Sequence, residues 1–108
     1  MNELNNKIKE TFKILKEWPL MIITKEVTYP TLQCYLEGYV DGLAHVFKKN
    51  LRLEISQWFQ KRINQKASVF WTNHIIDFYK GKTDEELQMI LINTTEEYFQ
   101  ENPEWYKS

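Results

Sequence analysis

Apolar residues recur along this chain at the three- and four-residue intervals of an α-helix face. The first such stretch, about residues 3–17, sets Leu4, Ile8, Phe12 and Leu15 on one stripe. Lys7, Lys9, Lys13 and Lys16 surround it. Pro19 should stop this helix, because a proline ring clashes with the preceding turn and lacks an N–H. Residues 18–30 carry no helical period. Trp18 to Ile23 is apolar and partly β-branched, which suits a short strand, but no partner strand stands out elsewhere. The expectation is an extended segment laid across the helices and closed by Pro30.

Residues 31–48 give the clearest helix, with Leu32, Tyr35, Leu36, Tyr39, Val40, Leu43, Val46 and Phe47 on one face. Gly38 and Gly42 flank that stripe. Glycine inside a helix costs roughly 1 kcal/mol relative to alanine, so the pair points to close backbone approach by a neighbour. The polar back carries Cys34, Glu37, Asp41, His45 and Lys48. Asn50 is a plausible cap for a helix over about 51–65, with Leu51, Ile55, Trp58, Phe59 and Ile63 inside. Arg62 falls near the middle of that stripe, where it must snorkel or pair with an acid. A further helix runs from near Ser68 to Gly81, on a stripe of Trp71, Ile75 and Phe78.

Thr83-Asp84-Glu85-Glu86 reads as a capping box, with acids suited to a helix N-terminus. The last helix runs to about Gln100 with Leu87, Ile90, Leu91, Thr94 and Tyr98 inward. Ile92 and Phe99 remain on an adjacent face beside Glu85, Met89 and Glu96. They are either packing on a second helix or an apolar pair rimmed by carboxylates, as at a partner-binding surface. Trp105 and Tyr106, beyond Pro103, either fold back or join such a contact. Together the pattern predicts an all-α fold: a single-domain bundle of about five helices over residues 1–108, with an extended segment near residues 18–30.

Composition agrees. Hydrophobic residues are 43% and aromatics 15%, enough for a packed core at 108 residues. The net charge of −1 gives no global pull toward nucleic acid or an anionic membrane. Charge is nevertheless uneven: Lys48, Lys49, Arg52, Lys61, Arg62 and Lys66 precede a segment, Asp84 to Glu104, with seven acids and no base. Cys34 is the one cysteine, which excludes an internal disulfide and fits a reducing compartment. The first residues alternate Asn, Lys and Glu with apolar residues, unlike a secretory leader. Trp18 to Ile23 is too short to span a bilayer. The expected location is the cytoplasm.

Chemistry-bearing constellations are sparse. Cys34 and His45 share a helix face but stand about 16 Å apart along it, too far for a nucleophile and its base. Asp41 with His45, and His74 with Asp77, have ligand-like spacing, yet the first pair lies on a polar back beside Lys48 and reads as surface charge pairing. Glycine-rich phosphate loops, nucleophile elbows and Cys-x-x-Cys pairs are missing from the sequence. Trp58 and Phe59 are interleaved with bases, as in nucleic-acid readers, but lie on the apolar stripe and are expected in the core. The expectation is therefore a non-enzyme without cofactor or metal.

The order of features resembles a family of small helical immunity proteins from bacterial polymorphic-toxin and contact-dependent inhibition systems. Pro19 and Met21, then Gly38-Tyr39 with Gly42, then Trp58-Phe59, Trp71 and Phe99 occupy comparable places over roughly residues 12–100. The departures are Trp18 in place of an arginine, Leu20 in place of a glycine and Ile22 in place of a tyrosine. The resemblance implies stoichiometric binding of a cognate toxin domain, with basic nucleases among the toxin classes. An acidic face would steer such a partner. Helical-wheel exposure, not the resemblance, selects Glu85, Met89, Glu96, Phe99, Glu37 and Asp41 as contacts. The alternatives are a helical interaction or regulatory module of a phage or mobile element and, behind it, a nucleic-acid binder using Lys48, Lys49, Arg52, Lys61 and Lys66.

Overall fold

A computed structural model describes residues 2–23 and 26–107. Among these, five α-helices follow one another: α1 (Asn2–Glu17), α2 (Tyr29–Phe47), α3 (Leu51–Ile63), α4 (Trp71–Phe78) and α5 (Asp84–Glu101). The described residues contain no strand. The fold is all-α, as the periodicity requires.

Local chemistry sets most of the boundaries. Thr28 caps α2 through a reciprocal box with Thr31. Pro30 therefore sits in the first turn of α2, where its missing N–H costs nothing; it does not close an extended segment before the helix. Asn50 caps α3 by accepting the Leu53 N–H at 3.4 Å. Thr83 and Glu86 form the expected box on α5. α4 is shorter than its pattern suggested and has no side-chain cap of its own. Ser56 of α3 supplies one across the interface, accepting the Trp71 N–H at 2.9 Å. Between α1 and α2 the apolar run makes a single 3-10 turn over Pro19–Met21, not an extended strand-like segment; Thr24 and Lys25, which belong to the same expectation, lie outside the described residues.

The molecule measures 37 × 34 × 20 Å. Its least dimension is about two helix diameters. α5 packs against each of the other four. Around it lie Phe12 and Leu15 of α1, Leu32, Leu36 and Val40 of α2, Ile55 and Phe59 of α3, and Trp71 and Ile75 of α4, all buried. The central place of α5 explains why Ile92 and Phe99 are buried as well as the inner stripe. A helix covered on several sides has no spare apolar face.

Two further expectations are corrected. A methyl group added at Gly38 or Gly42 would meet nothing within 4 Å, so neither glycine mediates a close backbone approach. Val46, placed on the inner stripe of α2, is 70% exposed at the end of the helix. Trp105 folds back and is buried. Its indole donates to Asn5 Oδ1 at 2.9 Å, and Asn5 Nδ2 donates to the Pro103 carbonyl at 2.9 Å. Phe47 meets the Trp105 ring edge-on at 5.1 Å. The C-terminal tail is thus stapled to α1 and α2.

Candidate functional site

The acidic segment is mostly consumed inside the fold. Glu96 is buried against α1 and pairs with Lys16. Glu97 and Glu101 both pair with Arg62, whose guanidinium also lies 5.2 Å from the Trp58 ring centre. Trp58 Nε1 donates to Glu101 at 3.1 Å. The indole and guanidinium donors hold the Glu101 carboxyl below the usual carboxylate range. Glu104 pairs with Lys107, and Glu86 is taken by the capping box. Asp84 accepts the Tyr29 N–H with both oxygens, at 3.1 and 3.2 Å, and so caps the start of α2.

Glu37 and Asp41 are engaged in the same manner. Arg52 donates to both oxygens of Asp41 at 2.7 Å, a bidentate pair that raises the arginine's proton affinity. It also stands 3.6 Å from Glu37 and lies over the Phe70 ring. Glu37 accepts from the Thr72 hydroxyl at 2.5 Å and from Gln33 at 3.3 Å. Tyr29 reaches the Thr72 carbonyl at 2.6 Å, and burial followed by the Glu37 charge pushes its hydroxyl up in pKa. This network ties α2, α3 and the start of α4 together.

Of the six expected contacts, Phe99 and Glu96 are therefore corrected to interior positions. Phe99 is 6% exposed and packs on Phe12 and Trp105, at ring distances of 6.2 and 5.6 Å. Glu37 and Asp41 hold the scaffold. Glu85 and Met89 are exposed, and they lie together. Both border a groove of about 190 Å³, floored by Leu15, Val27, Leu32 and Ile92 and closed by Pro19 and Gln88.

Pro19 belongs to the 3-10 turn, and the turn presents the residues that the helical wheels missed. Trp18, Leu20 and Met21 are 63%, 66% and 74% exposed, and Met89 is 45% exposed. Taking about 200 Å² for a large side chain, the four offer roughly 500 Å² of mostly apolar surface. The available signal was negative: an apolar run without period, just past a helix-stopping proline, has no helix face through which to bury itself.

Other candidates do not converge. Cys34 and His45 are exposed, whereas His74 is buried against the Phe59 ring at 5.2 Å, with Nε2 lacking a hydrogen-bond partner. Among the described residues, no three His, Cys, Asp or Glu side chains gather as metal ligands would. Among the same residues, no helix is long and apolar enough to cross a membrane. Comparison with protein-family models, curated proteins and solved structures finds no match to this chain.

Proposed function

We propose that this protein is an immunity-type inhibitor, binding a cognate bacterial toxin domain stoichiometrically in the cytoplasm and covering its working surface. The observation that carries the reading is the turn at Trp18–Met21, which holds three large apolar side chains in solvent and whose Pro19 lines the groove that Met89 borders. Tryptophan and methionine are enriched at protein interfaces, and tryptophan dominates their hot spots. One side of a standard interface needs roughly 450 Å² of apolar area, close to the summed exposed area of Trp18, Leu20, Met21 and Met89. Pro19 and Met21, two of the residues behind the family resemblance, lie on this turn. The rigid, internally wired bundle also suits a binder that must hold its shape.

Co-expression with the product of the neighbouring reading frame tests this, by pull-down and by rescue of growth. The double variant Trp18→Ala/Met21→Ala should lose rescue while its thermal unfolding stays close to that of the parent. Undiminished rescue would remove this face from the interface. Charge reversal is informative only at Glu85, since reversing Glu96 or Glu97 would break ion pairs within the bundle.

A further inference from the structure

The groove beside the exposed turn has a shape and a charge that specify what enters it. Its floor is aliphatic, and its volume of about 190 Å³ is slightly larger than the roughly 150 Å³ that encloses a benzene ring in a protein interior. One leucine, phenylalanine or tryptophan side chain fits. On the rim, Lys16 is already neutralised by Glu96. Gln88 Nε2 donates to Asp84 at 2.6 Å and to the Val27 carbonyl at 3.3 Å. Glu85 alone on this rim has neither an ion-pair nor a hydrogen-bond partner among the described residues. The neighbouring Asp84 and Glu86 add to the same sign of charge.

We propose that this groove is an anchor pocket for one large apolar side chain of a basic protein partner, with Glu85 pairing a lysine or arginine next to that anchor. The inference deepens the proposed function and rests on its assignment of the Trp18–Met21 face as the contact face. Apolar insertion supplies the binding free energy, and the rim carboxylate supplies the choice of sign.

A random peptide library displayed on phage and selected against the full chain is the test, followed by synthesis of the enriched peptide and mapping by amide chemical shifts. Enriched sequences should carry Leu, Phe or Trp within four residues of Lys or Arg, and should shift Val27, Leu32 and Ile92. Glu85→Gln should weaken the peptide about fivefold, as expected for a rim charge pair, and Glu85→Lys should select acidic sequences instead. Shifts at Trp18, Leu20 and Met21 without the groove, or affinity unchanged in Glu85→Gln, would overturn the anchor pocket and leave the contact face standing. Peptides that map elsewhere, or a library yielding no enrichment, would overturn both.

Discussion

Alanine at Phe99 and alanine at Trp18 should have opposite consequences, although both remove a large aromatic side chain. Phe99 is almost fully enclosed by Phe12, Tyr98 and Trp105. Truncating a buried phenylalanine costs about 3–5 kcal/mol, the lost transfer energy plus the cavity left behind. Each of the three aromatic pairs adds roughly 0.5–1.5 kcal/mol to what the area alone accounts for, which favours the upper half of that range. A domain of this size holds only about 5–15 kcal/mol in total. With an unfolding entropy of about 2 cal/mol/K per residue, 4 kcal/mol lowers the melting temperature by roughly 18 °C. Trp18 is mostly in solvent, so its removal should change stability by about 0.5 kcal/mol or less.

Urea unfolding followed by circular dichroism, run beside the pull-down, separates the two effects. Phe99→Ala should move the midpoint far to lower urea. Trp18→Ala should leave the midpoint in place and abolish capture of the partner, at a hot-spot cost of about 2 kcal/mol or more in affinity. An unchanged midpoint for Phe99→Ala would show that the aromatic cluster around Trp105 does not form. A large stability loss for Trp18→Ala would show that the turn is packed, and the contact face would fall with it.

Three shorter tests concern the scaffold. Gly38→Ala and Gly42→Ala should each raise stability by about 0.5–1 kcal/mol, because the space beside them is open and alanine restricts the unfolded chain; a loss seen in thermal melts would show a hidden contact. Thr95→Val should cost about 2 kcal/mol in urea unfolding, since it orphans the buried Trp71 Nε1–H that Thr95 accepts at 2.9 Å, and adding Trp71→Phe should cost less than the two single changes combined. Stability should also fall at both ends of the pH scale. Glu86, Glu101 and Glu104 sit below the usual carboxylate range through bonds from Thr83, from Trp58 and Arg62, and from Lys107. Their contribution is present above about pH 4.3 and lost as pH falls through their folded values. Burial pushes Tyr98 up to about 12, with Glu54 adding to it; that contribution is whole below about pH 10 and lost as pH rises toward the folded value. A urea midpoint flat from pH 7 to pH 3 would contradict the carboxylate assignments.

The helices were legible because their signals are local. Period, capping box and proline each act within one turn, and α1, α3 and α5 lie where Leu4–Leu15, Asn50 and Thr83–Glu86 placed them. What helical wheels do not carry is how many neighbours a helix has. α5 is surrounded, so Phe99 and Glu96 turned from surface to interior. Pairing with an acid was among the expectations for Arg62, but its partners were illegible: nothing in the spacing of Arg62 and Glu97, or of Lys16 and Glu96, announces that they meet. The glycines misled for the opposite reason, since a propensity cost signals an unusual position without saying whether crowding or open solvent lies behind it.

A segment rich in carboxylates invites the idea of a long-range field. Here, however, the same carboxylates carry the contacts that position α5, and a charge paired at close range contributes little potential beyond a Debye length. Recognition by steering would be strongest for unpartnered acids, and among the described residues Glu96, Glu97 and Glu101 are spent on cross-helix ion pairs and Glu104 on Lys107, while Asp84 and Glu86 accept capping bonds from neutral donors and keep their charge beside Glu85. Apart from Val46, the most exposed large apolar side chains stand where periodicity breaks down, at a proline-stopped turn. Selection for a stable bundle alone would favour polar residues at Trp18, Leu20 and Met21, because their exposure adds nothing to folding and raises the risk of aggregation. Their exposure is what the proposed contact with another molecule rests on, and the turn that presents them is held by its own backbone bonds, from Trp18 N–H to the Ile14 carbonyl and from Ile22 and Ile23 N–H to the Pro19 carbonyl.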